Sequence, residues 1–203
     1  HGVFRRQRQM CIRDRQTPNS SFSWQSIIVD SGSNCLPNKV TYVDHYHISQ
    51  RGDEAFLISN KVKLGNGPSA INYLTYDYSY SGFSSAHDDG FRIDISNDCG
   101  HSWDSIYGAF GADLATTSYQ SSVWFPTCDS WQTDTINLSA LGYNNDTIML
   151  RFVAINDYGN QFYLDNININ GDNIISTKNI ENYSLRLYPN PSNGSFSVLS
   201  KYN

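Results

Sequence analysis

An all-β chain of many short strands is what the sequence predicts, and three observations carry that class. Short apolar runs are separated by clusters of Gly, Asn, Asp and Ser, residues that reach turn conformations or bond their own backbone there. No long stretch shows helical period. From Phe91 to Ser96, apolar Phe91, Ile93 and Ile95 alternate with polar Arg92, Asp94 and Ser96. That is the period of a strand with one dry face, and such a face needs a second sheet to cover it.

Composition bounds the size of the core. With 203 residues, 14% aromatics, 14 Tyr and 16% charged residues, the chain can bury one substantial core and carry a small appendage. No run of 18 apolar residues occurs, so no membrane span is predicted. The formal charge of -5 conceals an asymmetry, because Arg5, Arg6, Arg8, Arg13 and Arg15 all fall in the first 15 positions. Residues 16 to 203 carry 9 basic and 18 acidic residues, a net of -9. A body that acidic lacks the basic face that phosphate neutralisation requires, which disfavours nucleic acid as a partner.

Taken in order, Phe22, Trp24 and Ile27 to Val29, then Val40 to Val43, give the first strands. Phe56 to Leu64 and Ile71 to Tyr80 flank a turn at Gly65, Asn66, Gly67 and Pro68. Asp89-Gly90 is a turn before the Phe91–Ser96 strand, and Asn97 to Gly100 is a turn after it, with Trp103 opening the next apolar segment. Ile106 to Phe110 and Val123 to Phe125 bracket a loop, Pro126 ends the second run, and Trp131 leads to Ile136 and Leu138. Thr147 to Ile155 is apolar on both parities, as expected of a strand covered on two sides, and Phe162 to Ile169 follows a turn at Asp157 to Asn160.

Candidate chemistry is sparse. His45 and His47 stand two apart, on one face of a strand, either as a metal pair or as part of a partly exposed strand face. Leu74, Tyr76, Tyr78 and Tyr80 share one face, so the tyrosines form either a sugar-stacking platform or ordinary sheet packing. His87, Asp88 and Asp89 are the one cluster with a hydrolytic flavour, and they immediately precede a turn and strand. The Gly-x-Ser-x-Gly, His-Glu-x-x-His and Cys-x-x-Cys patterns are absent, so the sequence predicts no enzyme and no zinc motif.

An ordered set of short motifs then carries a resemblance. Phe56-Leu57-Ile58-Ser59, Asp98-Cys99-Gly100 with Trp103, Trp131 before Ile136-Asn137-Leu138, Arg151-Phe152, and Gly159-Asn160-Gln161-Phe162-Tyr163-Leu164-Asp165 running on to Ile169 resemble the cleaved-adhesin or MAM-like jelly rolls. Those modules occur in secreted Bacteroidota proteins, often downstream of protease domains. The resemblance implies an antiparallel two-sheet jelly-roll sandwich over residues 16–171. It implies secretion or surface attachment, and an accessory or adhesion role on glycans or extracellular proteins. A structural spacer or folding partner of an upstream protease is the alternative.

Two further resemblances mark the ends. Tyr188, Pro189, Asn190 and Pro191, followed by Asn193-Gly194, look like the opening of a type IX secretion sorting tail. That makes residues 183–203 a truncated sorting β tail addressed to the type IX machinery, and 172–182 a linker. Residues 8–15, Arg8-Gln9-Met10-Cys11-Ile12-Arg13-Asp14-Arg15, resemble a translated sequencing adapter, so residues 1–15 are expected to be a non-native leader.

Two structural expectations follow for the jelly roll. Cys99 and Cys128 lie at loop positions that such a fold could join, so they are the expected disulfide. Asp165 shares parity with Ile167 and Ile169, which points a carboxylate inward on an ideal strand. It must be protonated, take hydrogen-bond donors, leave the core through a bulge, or bind a cation. Related jelly rolls often hold calcium between an early segment and the last strand, which makes Asp53 and Glu54 the expected partners of Asp165 in a structural calcium site.

Overall fold

The computed structural model describes residues 22–65, 71–144 and 146–170, together with the backbone of strands 185–188 and 197–200. The chain divides into two compact units, His1–Asp172 and Asn173–Asn203. In the first, the strands in chain order are β1 (Gln25–Val29), β2 (Asn38–Val43), β3 (Glu54–Ile58), β4 (Val62–Lys63) and β5 (Tyr73–Tyr80). They continue as β6 (Gly90–Ser96), β7 (Asp104–Phe110), β8 (Gln132–Asn137), β9 (Thr147–Ile155) and β10 (Phe162–Asn170). One sheet has the order β1-β2-β10-β5-β8, and the other runs β3-β9-β6-β7 with β4 also paired to β9. The pairings between these strands are antiparallel, so the chain is an all-β, two-sheet jelly-roll sandwich.

Alternation decides what each strand buries. On β6, Phe91, Ile93 and Ile95 face the opposite sheet, and on β9 Leu150 and Phe152 join them in one core with Leu74, Phe162 and Leu164. The rings of Phe91 and Phe162 stack across the gap at 4.6 Å between centroids. Each large apolar side chain withdrawn this way contributes about 1.5–3 kcal/mol. The outer face of β9 is covered as well. Arg151 lies over Trp103 at 4.5 Å and Phe56 at 4.9 Å and donates to Asp94. Arg92 joins Asp94 to Glu54, so a ladder of alternating charge lies over Val153, which is fully buried.

Several expectations are corrected. Tyr76, Tyr78 and Tyr80 are 0%, 4% and 0% exposed, so they pack inside the sandwich and offer no ligand platform. They share parity with Leu74, and when Leu74 turns to the core the tyrosines must follow. Burial raises the Tyr76 and Tyr80 hydroxyls above their ordinary value, and each donates a hydrogen bond, to Asp134 at 3.1 Å and Asp89 at 2.9 Å. The run Phe56 to Leu64 is broken into β3 and β4. Val123 to Phe125 is no strand: the Trp124 N–H donates to the side chains of Asn160 and Gln161, while its ring packs on Tyr163.

Cys128 bonds to Cys35, with 4.6 Å between Cα atoms, so the expected Cys99–Cys128 bridge is wrong. The bridge pins the β1–β2 turn to the segment before β8. There Trp124 and Trp131 cover Val29, Val40 and Tyr163 on the outer face of the first sheet.

The calcium ligand set does not assemble. β10 bulges between Asp165 and Asn168, with Asn166 at φ 48°, and the bulge resets the parity, so Ile169 faces the core while Asp165 faces outward beside Asp77. Asp165 accepts from Asn38 Nδ2 at 2.8 Å. Glu54 lies on the outer face of the opposite sheet with Arg92, and Asp53 immediately precedes it, so these residues stand on opposite sides of the sandwich. Among the described residues no group of three or more His, Cys, Asp or Glu is placed to hold a metal ion.

In the second unit, β11 (Leu185–Tyr188) pairs antiparallel with β12 (Ser197–Ser200), Leu187 opposite Val198. Tyr188 ends β11. Pro189, Asn190, Pro191, Asn193 and Gly194 lie outside the described residues, as do 1–15 and the 172–182 linker.

Candidate functional site

The strand registers bring one set of loops to one end of the sandwich. Val43 on β2 and Tyr80 on β5 both pair with Phe162 at the start of β10. Ile155 at the end of β9 pairs with Glu54 and Gly90, and Gly90 pairs with Phe110 at the end of β7. Loops 44–53, 81–89 and 156–161, and the segment after β7, therefore share that end.

A buried carboxylate organises them. Asp89 is 0% exposed and accepts from the N–H groups of Asp157 at 2.7 Å, Gly159 at 3.1 Å and Asn160 at 3.1 Å, and from the Tyr80 hydroxyl. His45 Nδ1 lies 3.3 Å from Asp89 and 3.3 Å from Asn156 Oδ1. The Asn156 amide nitrogen already donates to the carbonyls of Ile48 and Gln50, so its oxygen faces His45 and Nδ1 carries the proton. Burial pushes the Asp89 carboxyl up, but His45, the Asp157 amide and the Tyr80 hydroxyl outweigh it and hold the group below the ordinary carboxylate range. Gly159 is required here, because a Cβ would run into the Asp89 carboxylate.

Above this hub lies a row of five rings from three loops. Tyr46 contacts His47 at 5.0 Å and Phe83 at 6.0 Å, Phe83 contacts His87 at 5.1 Å, and His87 contacts Tyr158 at 5.9 Å between centroids. Tyr158 is 42% exposed and sits at φ 61°, a left-handed conformation rare for a bulky residue. The N–H groups on either side of it are held by Asp89, and its own N–H donates to Asn156 Oδ1, so the hub over-determines the turn that presents the ring.

The rim of this row is polar. Asp44 accepts from His47 Nδ1 at 2.7 Å, Asp157 accepts from the Asp88 N–H and pairs with Arg51 at 3.4 Å, and Ser84 contacts His87 Nδ1 at 2.8 Å. Flat apolar faces with hydrogen-bonding groups at their edges suit a ring-shaped, uncharged, hydroxyl-rich molecule.

The structure separates most of the residues singled out from sequence. His45 is buried in the hub while His47 stands in the exposed row, so they form no metal pair. Of His87, Asp88 and Asp89, only Asp89 is buried, and His87 turns to Ser84 within one turn. Tyr46, Phe83 and Tyr158 follow no periodicity that would single them out in the sequence. Their signal was of another kind: aromatic residues inside Ser-, Asp- and Gly-rich turns, where no strand needs them.

No family model matches the chain, and no curated protein matches it. Among solved structures, it is similar to the K1 cleaved adhesin domain of Lys-gingipain from Porphyromonas gingivalis W83, over 76% of this chain and 86% of that chain, at 14% identity and a TM-score of 0.52. The K2 cleaved adhesin domain of Lys-gingipain matches over 75% of this chain and 85% of that one, at 13% identity and a TM-score of 0.47. A carbohydrate-binding module, TmCBM61 in complex with β-1,4-galactotriose, matches over 72% and 81%, at 12% identity and a TM-score of 0.43. The chain thus falls in the class of jelly-roll β-sandwich modules. The likeness to the K1 adhesin domain is one of fold.

Proposed function

We propose that this chain is a non-catalytic binding module of a secreted or cell-surface protein, and that its loop end holds a neutral glycan. The observation that carries the reading is the row Tyr46, His47, Phe83, His87 and Tyr158, in which His47 and Tyr158 are exposed and the other three rings are half-buried, with the Tyr158 turn held by the Asp89 hub. An acidic body with aromatic faces favours an uncharged, hydroxyl-rich ligand over a polyanion. The test is binding to a panel of neutral glycans by the wild type, Phe83→Ala and Tyr158→Ala. Loss of a stacking face lowers affinity roughly tenfold, about 1.4 kcal/mol. No binding of the wild type to any member of the panel points instead to a structural spacer for a neighbouring domain, and unchanged binding in both variants overturns the ring row as the site. For the tail, a type IX sorting role is tested by fusing the tail from residue 183 onward to a cargo in a type IX host. Cargo retained in the periplasm counts against it.

A further inference from the structure

We infer that the loop end carries a second contact station for the same ligand, centred on Tyr119, so that the molecule it takes is an extended oligosaccharide. This rests on the glycan reading above. After β7, the helical turn α1 (Gly111–Leu114) and the residues that follow line an open depression of about 460 Å³ with Ala112, Ala115, Thr116, Thr117, Ser118 and Tyr119. Tyr119 is 43% exposed. Its ring lies against the backbone at Gly82, where a Cβ would come within 2.7 Å of the ring, so one side is packed and the rest is presented to solvent. That is a stacking surface with a fixed support.

The support is rigid. The Thr116 N–H donates to the Tyr80 carbonyl at 2.9 Å, the Tyr80 N–H donates to Thr116 Oγ1 at 3.0 Å, Ser81 Oγ donates to the Ser118 carbonyl at 3.0 Å, and the Gln120 N–H donates to the Gly82 carbonyl at 2.9 Å. Bonded residues on both sides of Tyr119 set the direction of its ring before any ligand arrives, which lowers the ordering cost of binding.

Two links join this station to the ring row. Gly82, under Tyr119, is followed in the chain by Phe83, a member of the row, so their Cα atoms are about 3.8 Å apart. Asn160 donates through Nδ2 to the carbonyls of Gln120 and Ser122 at 2.8 and 2.9 Å, while its own N–H is held by Asp89. One residue therefore ties the Tyr119 segment to the turn that presents Tyr158. The two stations meet at the 81–89 loop, which supplies Phe83 and His87 to the first and Gly82 to the second. Aromatic surface beside the Thr117 and Ser118 hydroxyls, with no Lys or Arg in the lining, repeats the chemistry of the first station. Two like stations on one rigid frame match a ligand that repeats its own chemistry along its length.

The experiment is calorimetric titration of the whole chain with neutral β-1,4-linked gluco-, manno- and galacto-oligosaccharides of one to six units, using wild type, Tyr119→Ala, Tyr119→Phe and Tyr158→Ala. In the series that binds, affinity rises roughly tenfold or more between the short and the long oligomers. Tyr119→Ala removes that rise and leaves short-oligomer affinity in place, Tyr119→Phe keeps it, and Tyr158→Ala weakens every length. If Tyr119→Ala binds the long oligomers as wild type does while Tyr158→Ala is weakened, the second station is overturned and the first stands. If Tyr119→Phe loses the rise as fully as Tyr119→Ala, stacking at Tyr119 is overturned. If no series binds at millimolar concentration, or Tyr158→Ala changes nothing, both readings fall.

Discussion

Asp89 shows how much one residue can be asked to hold. Its carboxylate takes three backbone N–H groups, one hydroxyl and the His45 proton in a fully buried position, so removing its charge strands donors that water cannot reach. Asp89→Asn is expected to lower unfolding stability by roughly 2–3 kcal/mol at neutral pH, the cost of leaving buried donors unsatisfied, measured by urea denaturation. The pH dependence follows from the sign of the shift. The folded carboxyl titrates below its ordinary value of 3.8, so its contribution is complete above the unfolded value and is lost as pH falls through the folded one. Wild-type stability should therefore drop from about pH 5 downward, and the drop should be shallower in Asp89→Asn. Equal acid slopes in the two proteins would remove Asp89 from this role. In the sequence the residue stands out as half of an Asp-Gly turn signal and as a member of the His87, Asp88 and Asp89 cluster, neither of which points to a buried hub. Its partners lie on two other loops, and no local pattern encodes them.

At the scale of elements, alternation was the legible part, and it failed where an element departs from ideal geometry. β6 and β9 follow the apolar pattern residue by residue, and the same parity rule, applied to Leu74, places the tyrosines of β5 inside. β10 was misjudged because Asn166 enters the left-handed region and inserts a bulge, which a period-two reading cannot see. The disulfide was misjudged because pairing depends on topology: Cys35 and Cys128 are 93 residues apart and meet only because the segment before β8 folds back over the outer face of β1 and β2. The bridge has a measurable consequence. A cross-link across 93 residues removes about 4.5 kcal/mol of loop-closure entropy from the unfolded chain on the entropic model. Cys35→Ser with Cys128→Ser should accordingly lower the urea midpoint with the all-β circular-dichroism spectrum retained. The Trp124 and Trp131 cover should loosen first, read as a red shift in tryptophan emission before global unfolding. A midpoint within error of wild type would show that the segment is held by its packing alone.

For the molecule as a whole, the contact map separates His1–Asp172 from Asn173–Asn203, and the first unit contains both large sheets, the described disulfide and the ring row. The Asp89 hub, the disulfide and both ring stations are thus built from side chains before residue 172. Among the described residues the second unit shows one antiparallel pairing, β11 with β12. The division into two units sets an expectation for a chain ended after Asp172. In a protein of this size, 1 kcal/mol of stability moves the melting temperature by about 2–4 °C, so a tail that contributes nothing to the module leaves the melting temperature within about 2 °C. Its glycan affinity should equal that of the full chain, because neither Tyr158 nor Tyr119 lies in the deleted segment. A fall of 5 °C or more, or a loss of affinity on truncation, would mean that the tail belongs to the module's fold or to its binding surface, and the two-unit division would have to be abandoned.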